Sequence, residues 1–96
     1  MGAKYVQNIY YIAVFDSRNY AVQLYQHLKR MRYKQFQLVS TPCVLNAGCS
    51  YSIRFDELED YHILSREAEK LKKDIISIYE AKRVDRNRVL KQLDLN

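Results

Sequence analysis

Two cysteines, Cys43 and Cys49, are the residues of this 96-residue chain whose type and setting could do chemistry. They stand in Pro42-Cys43-Val44-Leu45-Asn46-Ala47-Gly48-Cys49-Ser50, which also holds the single proline and one of the two glycines. A thiolate is a nucleophile, and positive potential or nearby N–H donors populate it. Cys49 follows Gly48 at the entry to a predicted strand, where a side chain can be presented rather than packed. Arg54 is one of the cations near it in sequence or across the sheet. Free cysteine is equally a small hydrophobe common in cores. Both readings stand: a reactive thiol, or two packing residues.

Other chemistries find no pattern in the sequence. A phosphate loop and a G-x-G-x-x-G turn need glycines this chain lacks, since it has only Gly2 and Gly48. The cysteine spacing is C-x5-C, and His27 and His62 fall on separate predicted helices, so no four-ligand zinc site is expected. No Ser/His/Asp set and no paired acid/base carboxylates are legible. No cofactor is expected.

The elements that must position the thiols follow from periodicity. Tyr5 to Phe15 is nearly continuously apolar and rich in β-branched and aromatic residues, which suits a central strand. Asp16 or Ser17 offers a helix cap. Tyr20, Ala21, Leu24, Leu28 and Met31 then recur at helical spacing, with His27 at the edge of the stripe. Gln35 to Thr41 reads as a strand ended by Pro42, which lacks the N–H of a ladder. Tyr51, Ile53 and Phe55 alternate with Ser52, Arg54 and Asp56 as a third strand. Asp56 to Lys73 turns helical through Leu58, Tyr61, Leu64, Ala68 and Leu71, leaving His62 off the stripe. Asp74 to Ala81 is a fourth strand, and Asp85 could cap a short helix carrying Val89, Leu90 and Leu93.

The order β-α-β-β-α-β predicts an α+β, ferredoxin-like domain over residues 1–83. It has a four-stranded antiparallel sheet with two helices on one face. Residues 84–96 form a C-terminal extension with a short helical tail.

Apolar residues make up 48% of the chain, enough for one core, and the length is too small for two. No apolar run approaches the ~20 residues that span a bilayer, so no membrane partner is expected. No secretory leader is legible, and two cysteines are too few for a disulfide scaffold, so a reducing, cytoplasmic setting is the expectation. The net charge of +5 gathers at Lys29–Lys34, Lys70–Lys73 and Lys82–Arg88. The first two runs fall where helix C-termini favour cations.

The same element order belongs to the RNA-recognition motif, which needs exposed aromatics on its first and third strands. Gly48-Cys49-Ser50-Tyr51-Ser52-Ile53-Arg54-Phe55 matches the third-strand motif only loosely: Ala47 replaces its leading basic residue and Cys49 an aromatic. Tyr10 or Tyr11 could stack a base, but amphipathic tyrosines at sheet faces are the simpler reading.

From Tyr11 to about Arg83 the chain resembles the selenium/sulfur carrier protein-like family of small bacterial domains. The residues that carry the resemblance are Phe15-Asp16-Ser17, Thr41-Pro42, Gly48 through Phe55, and Ile76-Ser77-Ile78-Tyr79. Cys49 matches the family's cysteine before an apolar strand, and Pro42 its proline. Ser50 stands where the family usually has glycine, and Cys43 and residues 84–96 lie outside its pattern. The resemblance implies a carrier rather than a turnover enzyme. Cys49 would hold sulfur or selenium as a persulfide or selenopersulfide. A donor such as a cysteine desulfurase would supply it, and an acceptor protein would take it. Gly48 would permit close approach, Ser50 would stabilise the terminal anion, and Cys43 would act as a resolving thiol. Two other classes stand beside it: a non-catalytic interaction or homodimerisation module, and a weak RNA or single-stranded DNA binder.

Overall fold

The computed structural model describes residues 9–42, 45 and 51–95. Its elements are β1 (Ile9–Phe15), α1 (Arg18–Arg30), β2 (Gln37–Ser40), β3 (Tyr51–Phe55), α2 (Asp60–Lys70), β4 (Ile75–Val84) and β5 (Asn87–Leu93). All strands join one antiparallel sheet in the order β2-β3-β1-β4-β5. The most apolar strand, β1, is thus the middle one, as its composition requires.

The register sets two faces. Ala13 lies opposite Ile53 on one side and Ile78 on the other, and Tyr11 lies opposite Phe55. These residues and Phe15 pack with Ala21, Leu24 and Leu28 of α1 and Leu64 and Ala68 of α2 into one core. The alternate residues Ile12, Val14, Ser52 and Ala81 are also buried, so β1 is covered on both sides.

Local chemistry explains the element ends. Ser17 caps α1, its hydroxyl accepting from the Asn19 N–H at 3.2 Å. Both helices close with a residue in the left-handed region, Arg32 (φ 68°) and Lys72 (φ 58°). The following N–H groups reach back to the Leu28 and Ala68 carbonyls at 3.0 and 2.9 Å. This is a Schellman closure made without glycine. The basic residues predicted there do sit in the last turns, Lys29 and Arg30 in α1 and Lys70 in α2.

Two expectations are corrected. The sheet has five strands, not four, and the expected helical tail is the strand β5. Val89, Leu90 and Leu93 fit helical spacing, and in the strand Leu90 faces the opposite side from Val89 and Leu93, so periodicity does not mark β5. The pairing partner decides: β4 runs on to Val84, and β5 pairs with it from Val84↔Asn87 to Ile78↔Leu93. The expected boundary between residues 83 and 84 falls inside β4. Asp85 makes the hairpin possible by taking φ 58°, a region that Asp tolerates. Asp85→Val is therefore expected to cost about 1–2 kcal/mol, and Asp85→Gly much less, read as shifts in the urea unfolding midpoint.

Candidate functional site

The cysteine-bearing segment joins two neighbouring strands, and its stems are fixed by the sheet. Ser40 and Tyr51 are cross-strand partners, so residues 41–50 leave and re-enter the same ladder. Beyond that pair, the Thr41 and Ser52 hydroxyls hydrogen-bond to each other at 2.5 Å, both buried. Pro42 is buried as well, and its carbonyl accepts from the Leu45 N–H at 3.0 Å. A buried hydroxyl needs a partner, and each of these two supplies the other's. Cys43, Gly48, Cys49 and Ser50 lie outside the described residues.

Arg54 sits on β3, three positions beyond Tyr51, or roughly 10 Å along the strand. Its guanidinium lies 3.8 Å over the Tyr10 ring and donates to Asp56 Oδ1 at 3.3–3.4 Å. The two tyrosines considered for base stacking face opposite ways. Tyr11 packs on the helix side, stacked on Phe55 with ring centroids 5.6 Å apart. Burial, with Glu80 and Glu57 nearby, pushes its hydroxyl pKa up. Tyr10 points to the other side, with one ring face covered by Arg54 and its hydroxyl accepting from Arg88 at 3.1 Å.

Sequence reasoning missed one polar centre between the helices. Glu67 is 0% exposed, yet its carboxylate meets His27 Nε2 at 2.7 Å, Arg66 Nε at 3.3 Å and Lys70 Nζ at 3.3 Å. The His27 hydrogen bond holds the Glu67 carboxyl below the ordinary carboxylate range. Burial opposes that shift, while Lys70 and Arg66 reinforce it. A signal existed: Glu67 is three residues after Leu64 on the apolar stripe, and His27 borders the facing stripe. Two titratable groups on packed stripes tend to meet. His62 is exposed, as its position off the stripe implied.

Among the described residues no group of three or more His, Cys, Asp or Glu side chains could hold a metal ion. Among them, too, no helix is long and apolar enough to cross a membrane.

No curated protein and no solved structure matches the chain. Residues 10–80 match a family whose description is "Putative Se/S carrier protein-like". The matched span runs from β1 into β4 and includes both cysteines. It takes in about three quarters of the chain, and by that measure the protein belongs to this Se/S carrier-like family.

Proposed function

We propose that the protein is a sulfur or selenium carrier with Cys49 as the carrying thiol, acting in a reducing, cytoplasmic compartment. The observation that supports this reading is the family match over residues 10–80, which includes Cys49. The pinned stems agree with it: a link held by Ser40↔Tyr51 and by the Thr41–Ser52 hydroxyl pair can present a thiol from a defined place. The β2-β3-β1-β4 part of the sheet with both helices is read as a ferredoxin-like unit to which β5 has been added.

The chemistry balances with thiols alone. The Cys49 thiolate attacks the terminal sulfur of a donor persulfide, such as that of a cysteine desulfurase. A new S–S bond forms on Cys49, and the donor leaves as its own thiolate. An acceptor protein's thiolate then attacks that terminal sulfur and frees Cys49. Alternatively, Cys43 thiolate attacks the Cys49 sulfur, closing a Cys43–Cys49 disulfide and expelling hydrosulfide. A dithiol reductant must then restore the pair. The selenium route is the same with selenium as the terminal atom. Gly48 gives the partner access, Ser50 and nearby N–H groups stabilise the terminal anion, and Pro42 fixes the entry to the link. Arg54 adds positive potential from the third strand.

The test is intact-mass analysis after incubation with a cysteine desulfurase and cysteine. Wild type is expected to gain sulfur that a reductant removes. Cys49→Ser is expected to gain none, and Cys43→Ser to retain its load longer than wild type. Equal loading of Cys49→Ser and wild type would overturn the assignment of Cys49.

A further inference from the structure

The sheet face turned away from the helices carries a group of cations, of which the carrier chemistry uses Arg54 alone. Because β5 is a strand, Arg83 lies directly opposite Arg88 in the ladder. Tyr10 lies opposite Ala81, two residues before Arg83, and Arg54 lies opposite Ile12 on the same side of β1. Tyr10, Arg54, Arg83 and Arg88 together line a cavity of about 240 Å³.

Like charges placed directly opposite one another in an antiparallel pair are unfavourable. Here three guanidiniums share one cavity, and among the described residues the one carboxylate paired with any of them is Asp56, itself 65% exposed. Two internal contacts hold Arg54 and Arg88 in place: Arg54 lies over the Tyr10 ring, and Arg88 donates to the Tyr10 hydroxyl. That hydroxyl keeps its own proton to donate. We propose that this cavity binds the phosphate group of a small phosphorylated molecule. Guanidinium forks match phosphate oxygens in bidentate fashion, and a dianion offsets the repulsion between Arg83 and Arg88. A nucleic-acid track is disfavoured, because Arg54 occupies the Tyr10 face on which a base would stack.

The experiment titrates inorganic phosphate into the full chain at constant ionic strength, with chloride as the balancing anion, and follows backbone amide NMR signals. Saturable shifts at Tyr10, Arg54, Arg83 and Arg88 are expected. They should weaken as acid converts the phosphate dianion to the monoanion. Arg83→Gln should weaken binding about tenfold or more. It should also melt at the same or a higher temperature than wild type in chloride, since it removes a like-charge pair. Arg83→Lys, which keeps the charge but not the fork, should fall between the two and serves if Arg83→Gln fails to fold. A linear, non-saturating response, or an unchanged affinity in the Arg83 variants, would overturn the proposal. So would single-stranded oligonucleotides that bind more tightly than phosphate with each added nucleotide.

Discussion

Phe55→Ala is expected to cost about 3–5 kcal/mol of unfolding free energy. Phe55 is 0% exposed and stands at the centre of an aromatic chain. Tyr11 stacks on it at 5.6 Å, and Phe36 meets it edge-on at 6.0 Å. Tyr33 in turn meets Phe36 at 6.4 Å. Truncation removes the buried ring and leaves a hole bordered by two other rings, so transfer and cavity costs add. A domain of this size has about 5–15 kcal/mol in total, so the variant loses a large share of its stability. Urea unfolding followed by circular dichroism should show a large drop in midpoint with an unchanged slope. A loss below about 1 kcal/mol would mean that the aromatic chain does not organise the core. The consequence reaches the cysteine link, because Phe55 ends the strand whose first residue, Tyr51, closes that link.

Glu67→Gln should reveal the cost and the sign of the buried carboxylate. In wild type, the His27, Lys70 and Arg66 contacts place the folded-state pKa of Glu67 below its ordinary value of 4.5. A depressed carboxylate pKa contributes stability that is fully present above the unfolded value. That stability is lost as pH falls through the folded value. Wild type and Glu67→Gln should therefore differ most from about pH 5 upward and converge as pH drops well below 4.5. Hydrogen bonds to charged groups contribute about 1.5–3 kcal/mol each, so a loss of about 1–3 kcal/mol at neutral pH is expected. The lower part of that range reflects partners that stay solvated: the Arg66 and Lys70 side chains are each 56% exposed. Urea midpoints for both proteins across pH 3 to 7 check this. A stability difference that does not shrink with acid would show that the carboxylate's charge is not what stabilises the pair of helices.

The sequence by itself determined the alternation of β1 through β4 with the two helices, because each element carries its own period. Continuous apolar character marked β1, three- and four-residue spacing marked α1 and α2, and strict alternation marked Tyr51 to Phe55. It also drew attention to Cys49, because a thiol beside glycine at a strand entry is chemically distinctive whatever surrounds it. Residues 84–96 were not legible as a strand, since Val89, Leu90 and Leu93 follow helical spacing and do not alternate. Only the partner strand β4 and the left-handed backbone at Asp85 made the segment a strand. The Arg83–Arg88 apposition was hidden for the same reason, and the Glu67–His27 contact left in the sequence only the placement of each residue beside its apolar stripe. Each joins residues whose meeting depends on register or helix packing, and neither register nor packing is a property of any one segment read alone.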